Sequence, residues 1–140
     1  METNEQNSQI GNGANYAYNI DYSFNEQDTG VLWVNGANIY QKTFSFSDYL
    51  LLGAHKIIIE HMPDVVSVID LKLHNFSVDM DPDGRITAGD SYVAYSNISS
   101  STLDIDFFCV FYGEYLSIRY NNNWMEGTAQ GFITIWYTKF

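Results

Sequence analysis

Leu32-Trp33-Val34-Asn35-Gly36-Ala37-Asn38-Ile39-Tyr40-Gln41-Lys42-Thr43-Phe44-Ser45-Phe46 is the stretch that decides the fold. An apolar run meets Asn-Gly, the strongest two-residue hairpin signal in the chain. An alternating run then returns beside it, apolar on one side and polar on the other. This reads as strand, tight turn and partner strand, and predicts a type I′ turn with positive φ at both Asn35 and Gly36. Residues 65–78 repeat the alternation, with Ile69, Leu71 and Leu73 facing one way and Asp70, Lys72 and His74 the other. Leu103, Ile105, Phe107, Cys109 and Phe111 share one face of a further strand, with Asp104 and Asp106 opposite. Ile57-Ile58-Ile59, residues 115–120 and residues 132–137 complete the series.

Short apolar runs divided by turn signals predict an all-β protein, an antiparallel β-sandwich with a jelly-roll-like head. A helix over residues 48–62, capped by Ser47, competes with this, since Leu50, Leu51, Ala54, Ile57 and Ile58 would share one side. Gly53 and three consecutive isoleucines oppose it, because both carry a helix-propensity penalty. Composition agrees with strands: 11 Tyr, 9 Phe and 3 Trp accompany many β-branched residues. At 140 residues the chain suits a single domain. Residues 1–19 hold almost no aliphatic side chains and read as a flexible tail or linker, which leaves 20–140 as the β-sandwich domain. No internal repeat of 20–50 residues is visible.

Charge and cysteine usage narrow the partners. Six basic against 17 acidic residues give a net charge of −11, which opposes binding to nucleic-acid phosphates. No apolar run is long enough to span a bilayer, and no basic-then-apolar signal peptide opens the chain. The one cysteine, Cys109, rules out an internal disulfide and a Cys-based zinc site, and its apolar neighbours make it a small core hydrophobe.

Catalytic motifs such as the Ser elbow, the P-loop and the H-E-x-x-H helix are missing. His55, His61 and His74 lie scattered and read as surface or turn histidines. Asp104 and Asp106, roughly 7 Å apart along a strand, have the spacing of a glycosidase pair, although the solvated face of an amphipathic strand requires the same residues.

Residues 79–90 carry a sharper pattern. Asp79, Asp81, Asp83 and Asp90 occupy the carboxylate positions of a twelve-residue calcium loop, Gly84 its tight turn and Arg85 its backbone-carbonyl position. Strand-like flanks, Asp in place of Glu at the last position and the stiff Pro82 favour a plain acidic β-turn. Calcium is the one cofactor the sequence suggests, and none is required. Tyr112, Tyr115, Tyr120, Asn122 and Trp124 combine flat rings with amides near a turn, a mixture suited to sugar or protein recognition and equally to packing between protomers.

Three stretches together resemble the C-terminal receptor-binding modules of phage and prophage tail-fibre or baseplate proteins. They are Tyr22-Ser23 with Glu26 and Trp33-Val34-Asn35-Gly36 through Lys42-Thr43, then His61-Met62-Pro63 before a long strand, and the closing Gly131-Phe132-Ile133-Thr134-Ile135-Trp136-Tyr137-Thr138-Lys139. The first departs from the family pattern at Ala37-Asn38, where Lys-Pro is usual, and the second at Met62-Pro63. The resemblance covers residue 20 to the end and implies a homotrimeric head at a virion tail tip, made in the bacterial cytoplasm. It further implies that the head binds a bacterial surface receptor, glycan or protein, and it assigns no catalytic residues. The expectation is therefore a non-enzymatic adhesion module, with a calcium-dependent carbohydrate-binding module of a secreted protein as the alternative.

Overall fold

A computed structural model describes residues 21–80, 84–91, 95–100 and 103–140. Nine strands are found among them: β1 (Gln27–Leu32), β2 (Asn38–Leu50), β3 (Gly53–His61), β4 (Val65–Met80), β5 (Gly84–Ser91), β6 (Tyr95–Ser100), β7 (Leu103–Tyr112), β8 (Tyr115–Asn122) and β9 (Gly127–Lys139). They form two antiparallel sheets, one in the order β1-β2-β9-β4-β5 and the other β3-β8-β7-β6. The sheets pack face to face as a β-sandwich, as the period-two pattern predicts. The competing helix over 48–62 does not form. β2 runs through to Leu50, the chain turns at 51–52, and β3 starts at Gly53, so that Leu50 and Ile57 reach the core from two different strands. The tail assigned to residues 1–19 lies outside the described residues.

The Asn35-Gly36 hairpin forms with a different turn from the one expected. Gly36 alone has positive φ, at +87°, and its N–H donates to the Trp33 carbonyl at 2.9 Å. Trp33 N–H in turn donates to the Ala37 carbonyl at 2.8 Å. This is a three-residue loop in which a right-handed turn precedes a left-handed glycine. Asn35 stays right-handed, and its side chain accepts from Ala37 N–H at 3.0 Å. The type I′ geometry occurs instead between β7 and β8, where Gly113 and Glu114 have φ of +59° and +72° and Tyr112 pairs directly with Tyr115.

The core lies between the sheets, and its centre is aromatic. Phe76 meets Phe107 edge-on at 4.4 Å between centroids and Phe46 in a stacked arrangement at 6.0 Å. Leu73, Ile105, Leu116, Ile118, Ile133 and Ile135 fill the space around them. One irregularity makes this packing possible. β4 sends Leu73 inward, yet three residues later it sends Phe76 inward as well, which breaks the period of two. Asn75 absorbs the extra residue at φ +48°, a β-bulge where the β9 partners step from Phe132↔His74 to Gln130↔Ser77. Gly131 lies across from the bulge. A β-carbon there would stand 3.0 Å from the His74 carbonyl oxygen and 3.3 Å from the Phe46 ring.

Candidate functional site

β9 is buried on both faces from Ile133 to Thr138, which a sandwich strand with a solvated outer side would not be. The cover comes from residues 21–24, which cross the outer face of the five-stranded sheet. Tyr22 places its ring edge-on to His74 at 4.6 Å and to Trp136 at 6.5 Å. Phe24 stacks on Phe132 at 6.2 Å, and the Ser23 carbonyl accepts from Thr43 N–H at 2.9 Å. Lys72 and His74, read from the sequence as the polar side of β4, are therefore only 6% and 8% exposed. Buried polar groups require partners. The Thr134 hydroxyl supplies them at the centre, bonded to the Thr43 hydroxyl at 2.7 Å and to His74 Nε2 at 2.8 Å. Alongside, Trp136 Nε1 donates to Gln41 Oε1 at 2.8 Å, and Lys72 Nζ donates to the Tyr22 hydroxyl at 3.4 Å.

Tyr22, Thr43 and His74 of this network line a groove. At its covered end a cleft of about 230 Å³ opens between Tyr22, Phe24, His74 and Phe132. It continues past Asn75 and Phe132 into an open trough of about 470 Å³ lined by Ser45, Ser47, Ser77 and Gln130. The trough residues lie in register across three strands, with Ser45 beside Phe132 and Ser47 beside Gln130, which in turn neighbours Ser77. Although the chain carries −11, no carboxylate or Lys/Arg side chain lines either part among the described residues. The described lining is hydroxyls, amides, one imidazole and the rings of Tyr22, Phe24, Phe46 and Phe132. Such a surface hydrogen-bonds a neutral, hydroxyl-rich ligand and offers flat apolar faces to its ring C–H groups.

The covering segment is fastened at its far end. Glu26 accepts from the Tyr137 hydroxyl and, at 2.6 Å, from Lys139 Nζ, which also stands 4.4 Å over the Tyr40 ring. Burial pushes the Glu26 carboxyl up, but the hydrogen bonds from Lys139 and Tyr137 outweigh it and hold the group below its ordinary 4.5. Tyr137 is raised, by burial first and then by its bond to Glu26. Lys139 is raised chiefly by its hydrogen bond to the same carboxylate.

The five aromatic and amide residues singled out from the sequence do not come together. Tyr112 and Tyr115 flank the β7–β8 turn and are exposed, with His61 stacked on Tyr115 at 4.7 Å. Tyr120 and Asn122 lie at the opposite end of β8, about 20 Å away at strand rise, and point inward. The Tyr120 hydroxyl accepts from Leu51 N–H at 3.0 Å. Asn122 accepts from Trp124 N–H and donates to the Met125 carbonyl, while Trp124 packs half-buried against the core. These three are structural, because β8 continues to Asn122 where the run of asparagines suggested a turn.

The described part of the twelve-residue calcium pattern runs as strand and not as a loop. Backbone pairing sets Asp79 beside Arg85 and Phe76 beside Gly89, so 84–90 run as strand β5. Asp90 then lies roughly 13 Å along the sheet from Asp79, whereas calcium ligands sit within about 2.6 Å of the ion. Asp81 and Asp83 lie outside the described residues. Asp106 faces outward on the other sheet, opposite Asn121 in register, and Asp104 pairs with Ser99. The signal that would have found the groove is Gln41-Thr43-Ser45-Ser47, the hydroxyl and amide side of β2, read together with the close-approach glycine at 131. Comparison with protein-family models, with curated proteins and with solved structures returned no match to this chain.

Proposed function

We propose that the domain is a non-enzymatic adhesion module of a phage or prophage tail, binding a neutral glycan of the bacterial surface in the groove on the five-stranded sheet. The observation that carries this is the lining: hydroxyls, amides and ring faces, with no carboxylate, Lys or Arg among the described lining residues of a strongly acidic chain. Groups of this kind orient a ligand through many weak contacts. The resemblance to tail receptor-binding modules supports the same reading, since several residues that carry it meet at the groove and its fastening: Tyr22 and Ser23 over Thr43, and Glu26 on Tyr137 and Lys139. A homotrimer at the virion tail tip belongs to the proposal.

The test is a glycan array followed by calorimetry on the best neutral ligand. Gln130→Ala and Ser77→Ala each remove one hydrogen-bonding group from the trough wall, and each should weaken binding about five- to tenfold, the equivalent of one hydrogen bond of 1–1.5 kcal/mol. Unchanged affinity in both variants would place the ligand elsewhere.

A further inference from the structure

The outer face of the other sheet has the opposite character. Among only six Lys and Arg residues in the chain, two stand directly across from each other, Lys56 on β3 and Arg119 on β8. Like charges in that position repel. Both side chains are exposed, and neither forms an ion pair with a described carboxylate. On the far side of Arg119, in the same cross-strand row, lies the ring of Phe108, 41% exposed. His55 and Asn121 border the row, and Ala54 leaves room beside it. The result is a shallow depression of about 540 Å³ with no carboxylate among its described lining residues.

We infer that this depression is a second binding site, selective for an oxyanion carried on a ring or short polyol body. Arg119 offers a planar fork that fits a carboxylate or phosphate with two hydrogen bonds, and Lys56 adds a point charge beside it. Phe108 supplies a flat apolar face for the ligand's body, and Asn121 a neutral donor and acceptor. An anion held between the two cations also removes their mutual repulsion. The net −11 does not forbid this. At physiological salt the Debye length is about 8 Å, so distant carboxylates are screened while groups in contact are not. Asp106, opposite Asn121 one rung along β8, is a nearby acidic position on the face and limits the site to ligands that place their charge toward Lys56 and Arg119. The site lies on the sheet opposite the groove and does not depend on the function proposed for it.

Titration of the folded protein with glucuronate, glycerol 1-phosphate and glucose, followed by the Arg119 side-chain Nε–H resonance, tests the inference. One or both anions should shift this resonance saturably and glucose should not. Glucuronate alone would identify a carboxylate source, glycerol phosphate alone a phosphate source, and both a general oxyanion site. Lys56→Gln should weaken anion binding at least fivefold. In ligand-free protein at low salt it should leave Tm equal or higher, because repulsion is relieved. Gln130→Ala in the groove should leave anion binding unchanged. Equal response to glucose, unchanged affinity in Lys56→Gln, or a Tm lowered by that variant would each overturn the inference, the last by showing that the two cations are already compensated.

Discussion

At the scale of single residues, the bulge and the glycine facing it are the most sensitive point in the fold. Gly131→Ala places a methyl 3.0 Å from a backbone oxygen that is itself fixed by β4–β9 pairing, so it is the strand that must move. Overpacking of this kind costs about 1–3 kcal/mol. The variant should melt several degrees lower and lose ligand affinity in the trough, since Phe132 and Gln130 flank the position; a wild-type Tm would show that the sheet yields easily there. Cys109 makes a second residue-scale prediction. Burial pushes its thiol up to about 12, so at pH 8 only roughly one molecule in ten thousand carries the reactive thiolate. A disulfide reagent at pH 8 should therefore label it at a rate that follows unfolding, and fast labelling of the native protein would contradict its place in β7. The sequence read Cys109 as a core hydrophobe from its neighbours, and the structure places it partly buried against the core. The sequence did not reveal Asn75 as a bulge, because one asparagine in an alternating run leaves the pattern nearly intact while reversing every side chain after it.

Among the elements, the segment 21–26 sets the character of the groove, and Glu26 fastens it. The carboxyl has a folded pKa below its ordinary 4.5, so its contribution to stability is complete above that value and is lost as pH falls through the folded pKa. Lys139 and Tyr137 are raised above 10.5 and 10.0, so their contributions hold below those values and are lost as pH rises past them. Tm should therefore form a plateau between about pH 5 and 9 with a shoulder on each side. Glu26→Gln should lower the plateau and flatten both shoulders, and a variant with the wild-type profile would show that the fastening is not energetically coupled to the fold. Lys42 and Asp64 also act on this cluster, but through space alone. Six of the strands, β2, β3, β4, β7, β8 and β9, were legible in the sequence, because alternation reports which side of a strand is buried; β5 fell in the segment read as a calcium loop or acidic turn, and β6 was not anticipated. The burial of the second side of β9 was not legible either. That depends on Tyr22 and Phe24, which lie far away in sequence and carry no periodic signal. The same blindness explains the site residues: Tyr120 and Asn122 looked like turn-edge binding groups, and only the inward parity of β8 shows them to be structural.

For the whole molecule, the proposed assembly makes a direct prediction. Light scattering at micromolar concentration should return about 48 kDa, three copies of the 16.0 kDa chain. A value near 16 kDa would remove the trimer from the proposal. Raising the salt concentration should not dissociate the assembly, because three copies at −11 repel one another and screening relieves that repulsion.

The position of β9 also governs how the protein can be made. It is the last of the described strands to be synthesised, and it lies in the middle of its sheet, with β2 on one side and β4 on the other. Until it emerges, β1–β2 and β4–β5 are two ribbons with nothing between them, each presenting an unpaired edge to solvent. Pairings such as Gly131↔Phe46 join residues about 85 positions apart, and contacts so distant form slowly, in milliseconds to seconds. The nascent chain therefore passes through a state with open edges that other chains can occupy. A chain stopped before Gly127 would not yield a smaller version of the domain; its two ribbons would have their own copies as the nearest available partners.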